Sequence, residues 1–410
     1  MNYTDEHAAL CALNKIFGYH PAIALSLMEK AGSAMALFGP VISSAPTVIS
    51  SASTVISSEA TVISSEVEKS PHPELLSQLT PSALEWARTE LSTLEARGFR
   101  FVSIIDEDYP EALRECDGPP IGLYLNGSSS PTEIFGMRPM IAFVGTRDIS
   151  PYGQLWCQKL VRALAEAPVQ PCIVSGMAMG ADGIAHRTAL ECGLPTVGVM
   201  ATGIDSIYPW QHEKLAMEIV SRPGCGLVTD YPLRTSPVAL NFLRRNRIIA
   251  GLVSAVVVVE SKSRGGSLMT AKYACEYNRE LFALPGRIDD ARSAGCNSLI
   301  HAQMARIITS PEELVGELGL GRLSRGPGGS WAAGAEASLR SILARKYGEG
   351  SAQVYIGDLV RDNTGITVDA IAARLHLPHQ DALTAVALME ADGILSTDIL
   401  GRCSLSANYA

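Results

Sequence analysis

From about residue 140 the chain alternates short, uniformly apolar runs with longer stretches of helical periodicity. The runs are "MIAFV" from 140, "CIVS" from 172, "TVGVM" from 196, "GLVT" from 226, "AVVVV" from 255 and "LFAL" from 281. Strands covered on both faces lose the polar alternation of half-exposed ones, so these runs predict a mostly parallel sheet buried under helices. "GQLWCQKLVRALAEA" and "SLMTAKYACEYN", which fall between them, place apolar residues at helical spacing and supply the covering layers. The predicted fold is α/β, a Rossmann-like, doubly wound sheet. Its right-handed crossovers put a ligand site at the carboxyl ends of the strands.

The flanks read differently. Residues 1–38 show helical periodicity broken near Gly18 to Pro21, which predicts a small helical N-terminal module. In residues 39–72 the tetrapeptide "VISS" recurs at 41, 48, 55 and 62; adjacent Val-Ile followed by Ser-Ser is poor coiled-coil geometry, so a low-complexity insertion is expected. "PSALEWARTELSTLEARG", within 73–99, predicts a connecting helix ended by Gly98. The Rossmann-like domain is assigned to 100–318, a Gly-rich linker to 319–335, and a winged-helix-like domain to 336–410. The last is read from "EASLRSILARKY", "TVDAIAARL" and "HQDALTAVALMEADG" as three helices, followed by two short strands around Gly401. A helix that reads DNA bases offers Arg or Lys, yet residues 379–392 carry only Asp381, Glu390 and Asp392 as formal charges; a protein-contact or structural role is expected there.

Length and composition narrow the class. A chain of 410 residues, 47% apolar and 18% charged, is expected to be mostly globular with two or three domains. Nine cysteines without a CxxC pair predict neither a zinc site nor a disulfide framework, and suit a reducing, cytoplasmic setting. The polar start, Met1 to His7, does not read as a signal peptide, and the longest apolar stretch, "IIAGLVSAVVVV", is too short to span a bilayer; no membrane partner is expected.

The chemistry-bearing motifs all follow predicted strands: "VGTRDISPYG", "SGMAMGADG", "MATGIDSIYP" and "SKSRGGSL". Glycine-rich turns that open helices let the backbone approach phosphate oxygens, and Ser175 and Ser267 can add hydroxyl donors. Neither G-x-G-x-x-G nor the P-loop pattern occurs, so no nucleotide cofactor is specified, and none is expected. A net charge of −9 hides a basic stretch: residues 231–306 carry eleven Lys and Arg against five Asp and Glu. Arg147 and Lys214 follow two other strands. In "RRNR", Arg244 and Arg247 share a helical face while Arg245 points elsewhere. With Tyr152, Tyr208, Trp210 and Phe242 interleaved, and Trp210 the best candidate for exposure, the pattern suits a groove that stacks bases and holds several phosphates of a single strand.

Asp182 and His186, one helical turn apart, could form a carboxylate-oriented base. No Ser, Cys or metal-like cluster accompanies them, so they are read as supporting a ligand site. No catalytic residue and no metal site is assigned.

Together "VGTRDISPYG", "SGMAMGADGIAHRTAL", "LVTDYP", "NFLRRNRIIAGL" and the tract from "VVVVESKSRGGSLMTAKYACEYNRELFALPGR" to "NSLI" closely resemble the bacterial DNA-processing protein A (DprA/Smf) family, over roughly residues 100–310. The resemblance implies a Rossmann-like, usually dimeric protein. It implies binding and shielding of single-stranded DNA, help in loading a RecA-type recombinase during natural transformation, and no catalytic turnover. Carried over by motif, Arg147 is the family's G-[ST]-R arginine, and Arg245, Asn246 and Arg247 its R-N-R. Gly265, Gly266, Ser267, Leu268, Met269 and Thr270 match S-G-S-L-[IL]-T, with Gly265 in place of the serine. Gly176 and Gly180 belong to the matched turn. His212 stands where asparagine is frequent, with Lys214 nearby to compensate; Leu243 stands for a frequent proline and Asp230 for a frequent glutamate. Two alternatives fit the residues less well. A phosphoribohydrolase-type nucleotide enzyme would carry P-G-G-x-G-T-x-x-E, and "RGGSLMTA" lacks its later Gly-Thr and glutamate. A winged-helix transcription regulator is disfavoured by the acidic third helix.

Overall fold

A computed structural model describes residues 3–38, 72–321, 343–398 except 345 and 364, and 401–405. The VISS repeat and most of the expected linker lie outside the described residues. The chain divides into two compact units, Met1–Leu323 and Ser324–Ala410.

In the first unit, α1 (Asp5–Phe17) and α2 (Pro21–Ala31) are separated at Gly18, and α3 (Pro81–Ala96) follows Thr80, whose hydroxyl caps it. Gly98 takes φ +73°, a left-handed conformation that lets the chain turn from α3 into β1 (Arg100–Ser103). Next come β2 (Gly122–Asn126), β3 (Met140–Val144), α4 (Pro151–Glu166), β4 (Cys172–Gly176), α5 (Ala181–Glu191) and β5 (Thr196–Val199). They are followed by α6 (Glu213–Ser221), β6 (Gly226–Thr229), α7 (Ala239–Leu252), β7 (Ala255–Val258), α8 (Ser267–Glu276), β8 (Glu280–Ala283), α9 (Ala294–His301), β9 (Arg306–Ile307) and α10 (Pro311–Glu317).

The nine strands form one sheet in the order β1-β2-β6-β5-β4-β3-β7-β8-β9. Every pairing from β6 to β9 is parallel; β1 with β2 and β2 with β6 are antiparallel. The sheet is thus Rossmann-like and mostly parallel, and the six apolar runs read from the sequence are β3 to β8. From β3 the chain steps outward through β4, β5 and β6, then crosses back to lay β7 on the other side of β3. The switch point between β3 and β7 is where crossovers diverge and leave a crevice at the carboxyl edge.

Alternation along the strands feeds two cores. Phe101, Tyr124 and Leu227 join one core with α1, α2 and α3, whereas Val102, Leu123, Leu125 and Val228 join the other with α7 and α8. Buried Asn14 ties the first helix to the sheet, donating to the Asp230 carbonyl (2.8 Å) and accepting from the Gly122 amide (3.2 Å).

The second unit contains α11 (Ala352–Asp362), β10 (Ile366–Thr367), α12 (Val368–Leu375), α13 (His379–Ala391), β11 (Leu395–Thr397) and β12 (Arg402–Leu405). Its strands form an antiparallel sheet ordered β10-β12-β11, over a core that includes Val354, Ile356, Ile371, Val386, Met389 and Ile394. Helix α11 lies outside the three helical stretches that the sequence predicts.

Candidate nucleic-acid interface

At the β3/β7 switch point a cavity of about 430 Å³ opens between the loop after β3 (Gly145 to Asp148), the loop after β7 (Ser261 to Gly266), and the first half of α7. Buried Glu260 joins the two loops. Its carboxylate accepts from the Ser150 amide (2.9 Å) and hydroxyl (2.5 Å), and its carbonyl accepts from the Thr146 amide (2.8 Å). Asn246 bridges from α7, its side-chain amide donating to the Gly266 carbonyl (3.2 Å). The Ser267 hydroxyl donates to that of Ser261 (2.8 Å) at the start of α8. The helix N-terminus therefore sits at the crevice wall with its partial positive charge.

Arg147, Lys262 and Arg264 are exposed on the two loops and make no ion pair among the described residues. Arg147 lies over the Phe242 ring, 5.1 Å from its centroid, and Tyr208 meets Phe242 edge to face at 5.5 Å. An aromatic step thus adjoins the cationic loops. Arg245 is buried in the wall, donating to the Val199 carbonyl and to Asn246 Oδ1 (3.2 Å). Gly176 makes room for it, since a Cβ there would stand 2.5 Å from the guanidinium and 2.6 Å from the Asp182 carboxylate. Asp182 is buried and accepts the Ala178 amide (3.3 Å); burial raises its pKa to about 6, against the opposing pull of Arg245.

Of the residues read as DNA-contacting, the crevice brings together Arg147, Arg245, Asn246, Gly265, Gly266, Ser267 and Thr270, with Asp182 beside them. The others sit elsewhere. Arg247 faces the opposite side of α7, in an ion pair with buried Asp230 (2.7 Å), and lines a different cavity. Two residues apart on a helix, Arg245 and Arg247 cannot share a face. Ser175 is buried and its hydroxyl donates to the Phe143 carbonyl (2.6 Å), so it is not a free ligand donor. Gly180 does not line the crevice; at φ +79° it packs against the Thr146 and Arg147 carbonyls. Trp210, 74% exposed, and Lys214 lie beyond β5, outside the crevice lining.

His186 is fully buried, its Nδ1 2.7 Å from the Thr196 hydroxyl and its Nε2 3.3 Å from the Gly176 carbonyl. Burial lowers its pKa to about 3, keeping it neutral. It is not hydrogen-bonded to Asp182, so the two do not make a catalytic pair. His212 is likewise internal, with Nδ1 3.0 Å from the Met177 carbonyl.

The basic stretch is partly neutralised. Lys272, Arg287, Arg292 and Arg306 pair with Glu276, Asp289, Asp148 and Glu280, and Arg279 donates to the Ala112 and Gly251 carbonyls. Lys262 and Arg264, in contrast, stay exposed in the crevice lining. The sequence counted them in the basic stretch without assigning them to the site; the quoted "SKSRGGSL" at a strand end was the available signal. Among the described residues no cluster of three metal-ligating side chains occurs, and no helix is long and apolar enough to cross a membrane.

Comparison with known proteins agrees with this architecture. Residues 100–319 match the family described as DNA recombination-mediator protein A. Protein Smf of Synechocystis sp. is 40% identical over 221 residues, 54% of this chain and 54% of that protein. DNA processing protein DprA of Streptococcus pneumoniae is 36% identical over 223 residues, 54% of this chain and 76% of that one. The solved structure of DNA processing protein A from S. pneumoniae superimposes with a TM-score of 0.52 at 30% identity, covering 62% of this chain and 90% of that one. The chain spans little more than half the length of the cyanobacterial relative that it matches. It belongs to the DNA recombination-mediator protein A family.

Proposed function

We propose that this protein binds single-stranded DNA along the carboxyl edge of its parallel sheet, shields it, and presents it to a RecA-type recombinase without breaking or making bonds. In this reading it acts in the cytoplasm as a homodimer, during natural transformation. The observation that carries the DNA reading is the set of exposed cations at the switch point, Arg147, Lys262 and Arg264. Among the described residues they lack acidic partners; they flank a helix N-terminus and adjoin the Phe242–Tyr208 step. Phosphates meet the cations while bases stack on rings, a recognition mode tolerant of sequence. Exposed Trp210 and Lys214 extend the path beyond β5. The internal engagement of His186 and its separation from Asp182 support a binding role over turnover. The family's description as a recombination mediator supports the recombinase partner. We read residues 336–410 as a winged-helix-like domain for protein contact, consistent with Leu383 and Leu388 exposed on the acidic α13.

The test is a titration of labelled oligothymidylate at several salt concentrations. Three phosphate contacts on a single strand give a slope of log affinity against log salt of about −2. Arg147→Ala flattens it by about 0.7 and Arg147→Glu weakens binding on the order of tenfold or more. A slope near zero, or unchanged affinity in both variants, would refute the proposed groove.

A further inference from the structure

A second cavity, about 700 Å³, lies on the other side of α7 and takes no part in the crevice. It is walled by Tyr19 from the break between α1 and α2, Tyr231 after β6, Arg244 on α7, Tyr273 on α8 and Tyr277 just past its end. We infer that this cavity is a second nucleotide subsite for single-stranded DNA, in which a base bearing an exocyclic amino group stacks on tyrosine while Arg244 holds its phosphate. The inference rests on the single-stranded DNA reading given above.

Arg244 lies 3.5 Å from the centroid of the Tyr19 ring and makes no ion pair among the described residues. A guanidinium held flat on a ring keeps its N–H fork available, which suits bidentate contact with a phosphate. The Tyr19 hydroxyl donates to Asn241 Oδ1 (3.1 Å), so the ring beneath Arg244 is fixed. Tyr273 and Tyr277 stack with centroids 6.0 Å apart and planes at 22°, presenting parallel rings to the cavity. The Tyr273 hydroxyl makes no hydrogen bond among the described residues.

The acids in the lining set which base is preferred. Asp230, with a side chain only 5% exposed, gives one oxygen to Arg247, and its buried Oδ1 has no hydrogen-bond partner among the described residues. Glu276 meets Lys272 at 3.6 Å, and Asp117 stands exposed at the rim. Carboxylates only accept hydrogen bonds, so they favour a base rich in donors. Cytosine and adenine carry an amino group; thymine offers a single ring N–H. The path is short enough to join both sites. A helix with its side chains is about 10–12 Å across, and single-strand sites span about 4–16 nucleotides. One strand can therefore pass over Phe242 and Leu243 from the crevice to Arg244. This gives the N-terminal helices a role, since Tyr19 is theirs.

The experiment uses the full chain and labelled oligo-dC and oligo-dT of about 4 and about 15 nucleotides. Wild type is compared with Arg244→Gln, Tyr273→Leu and Arg147→Ala, and urea midpoints check folding. Arg244→Lys and Tyr273→Phe, which keep the cation and the ring, serve as second variants. The inference predicts that Arg244→Gln and Tyr273→Leu weaken the long oligo-dC about tenfold, the long oligo-dT less, and the short ones not at all, with Tyr273→Phe recovering most of its loss and Arg244→Lys, which keeps the charge without the fork, recovering only part. Arg147→Ala weakens all four. If Arg244→Gln and Tyr273→Leu bind long oligo-dC like wild type while Arg147→Ala is impaired, the subsite is overturned and the crevice stands. Equal losses for dC and dT overturn the base preference. If wild type binds none of the oligonucleotides, the DNA reading falls and the subsite with it.

Discussion

Gly180→Ala separates the role of backbone from the role of charge at the crevice. Gly180 has φ +79° and ψ −127°, a conformation that side-chain-bearing residues avoid. An added Cβ would stand 2.3 Å from the Thr146 carbonyl oxygen and 2.6 Å from that of Arg147. The unfavourable dihedral costs about 1–3 kcal/mol. Relief of the overlap requires the loop after β3 to retreat, at about 1–3 kcal/mol for an overpacked site. Retreat also loosens the bond from the Ala181 amide to the Thr146 carbonyl (3.2 Å) and shifts Arg147 off Phe242. Gly193→Ala supplies the control, because Gly193 has φ +74° with nothing among the described residues within 4 Å of the new carbon. It carries a dihedral cost of about 1–2 kcal/mol and no overlap. Urea unfolding followed by circular dichroism should place Gly180→Ala about 2 kcal/mol or more below Gly193→Ala. Oligonucleotide affinity should fall for Gly180→Ala alone, at urea-free conditions where both remain folded. Equal stability losses, or normal affinity in Gly180→Ala, would refute the claim that this glycine sets the position of Arg147.

Three further outcomes follow from the buried polar groups. Asp182 is raised from 3.8 to about 6, so the folded state holds its proton more tightly than the unfolded state and stability falls as pH climbs through that window. Relative to wild type, Asp182→Asn should gain up to about 3 kcal/mol between pH 4 and pH 7; a pH-independent difference in urea melts would contradict this. His186 is shifted the opposite way, from 6.5 to about 3, so its contribution is complete at neutral pH and is lost on acidification below about 6.5. His186→Gln should remove roughly 2 kcal/mol of the acid destabilisation expected at pH 5, and an unaltered acid limb would count against a buried neutral imidazole. Asp230→Ala strands Arg247 without its buried counter-charge and should cost about 3–5 kcal/mol; a loss below about 1 kcal/mol, the range of exposed pairs, would show that the pair is solvated.

The central sheet was legible because its strands are apolar throughout, a pattern that only double coverage produces. β1 and β2 are short and open on Arg100 and Gly122, and their antiparallel pairing, β1 with β2 and β2 with β6, depends on partners distant in the chain. β9 is two exposed residues on the other edge, too short to leave a pattern. The sequence placed the crevice motifs at strand ends, and the switch point then brought Arg147 and the Gly265–Gly266 turn together. Which cations remain unpaired was not legible, because pairing depends on distant partners such as Asp148 for Arg292 and Asp230 for Arg247. Helical spacing did separate Arg245 from Arg244 and Arg247, although the R-N-R motif suggests one unit. The inward turn of Ser175 depends on the Phe143 carbonyl of the neighbouring strand, which no local spacing reveals.

The most direct measurement of the central claim is photocrosslinking of an oligonucleotide carrying 5-iododeoxyuridine to the full chain, with crosslinked peptides mapped by mass spectrometry. The account predicts that attachment concentrates on Phe242 and Tyr208 and on the loops bearing Arg147 and Lys262 to Arg264, and that Arg147→Glu suppresses it. Crosslinks confined to the second unit, or to surfaces away from the carboxyl edge of the sheet, would contradict it.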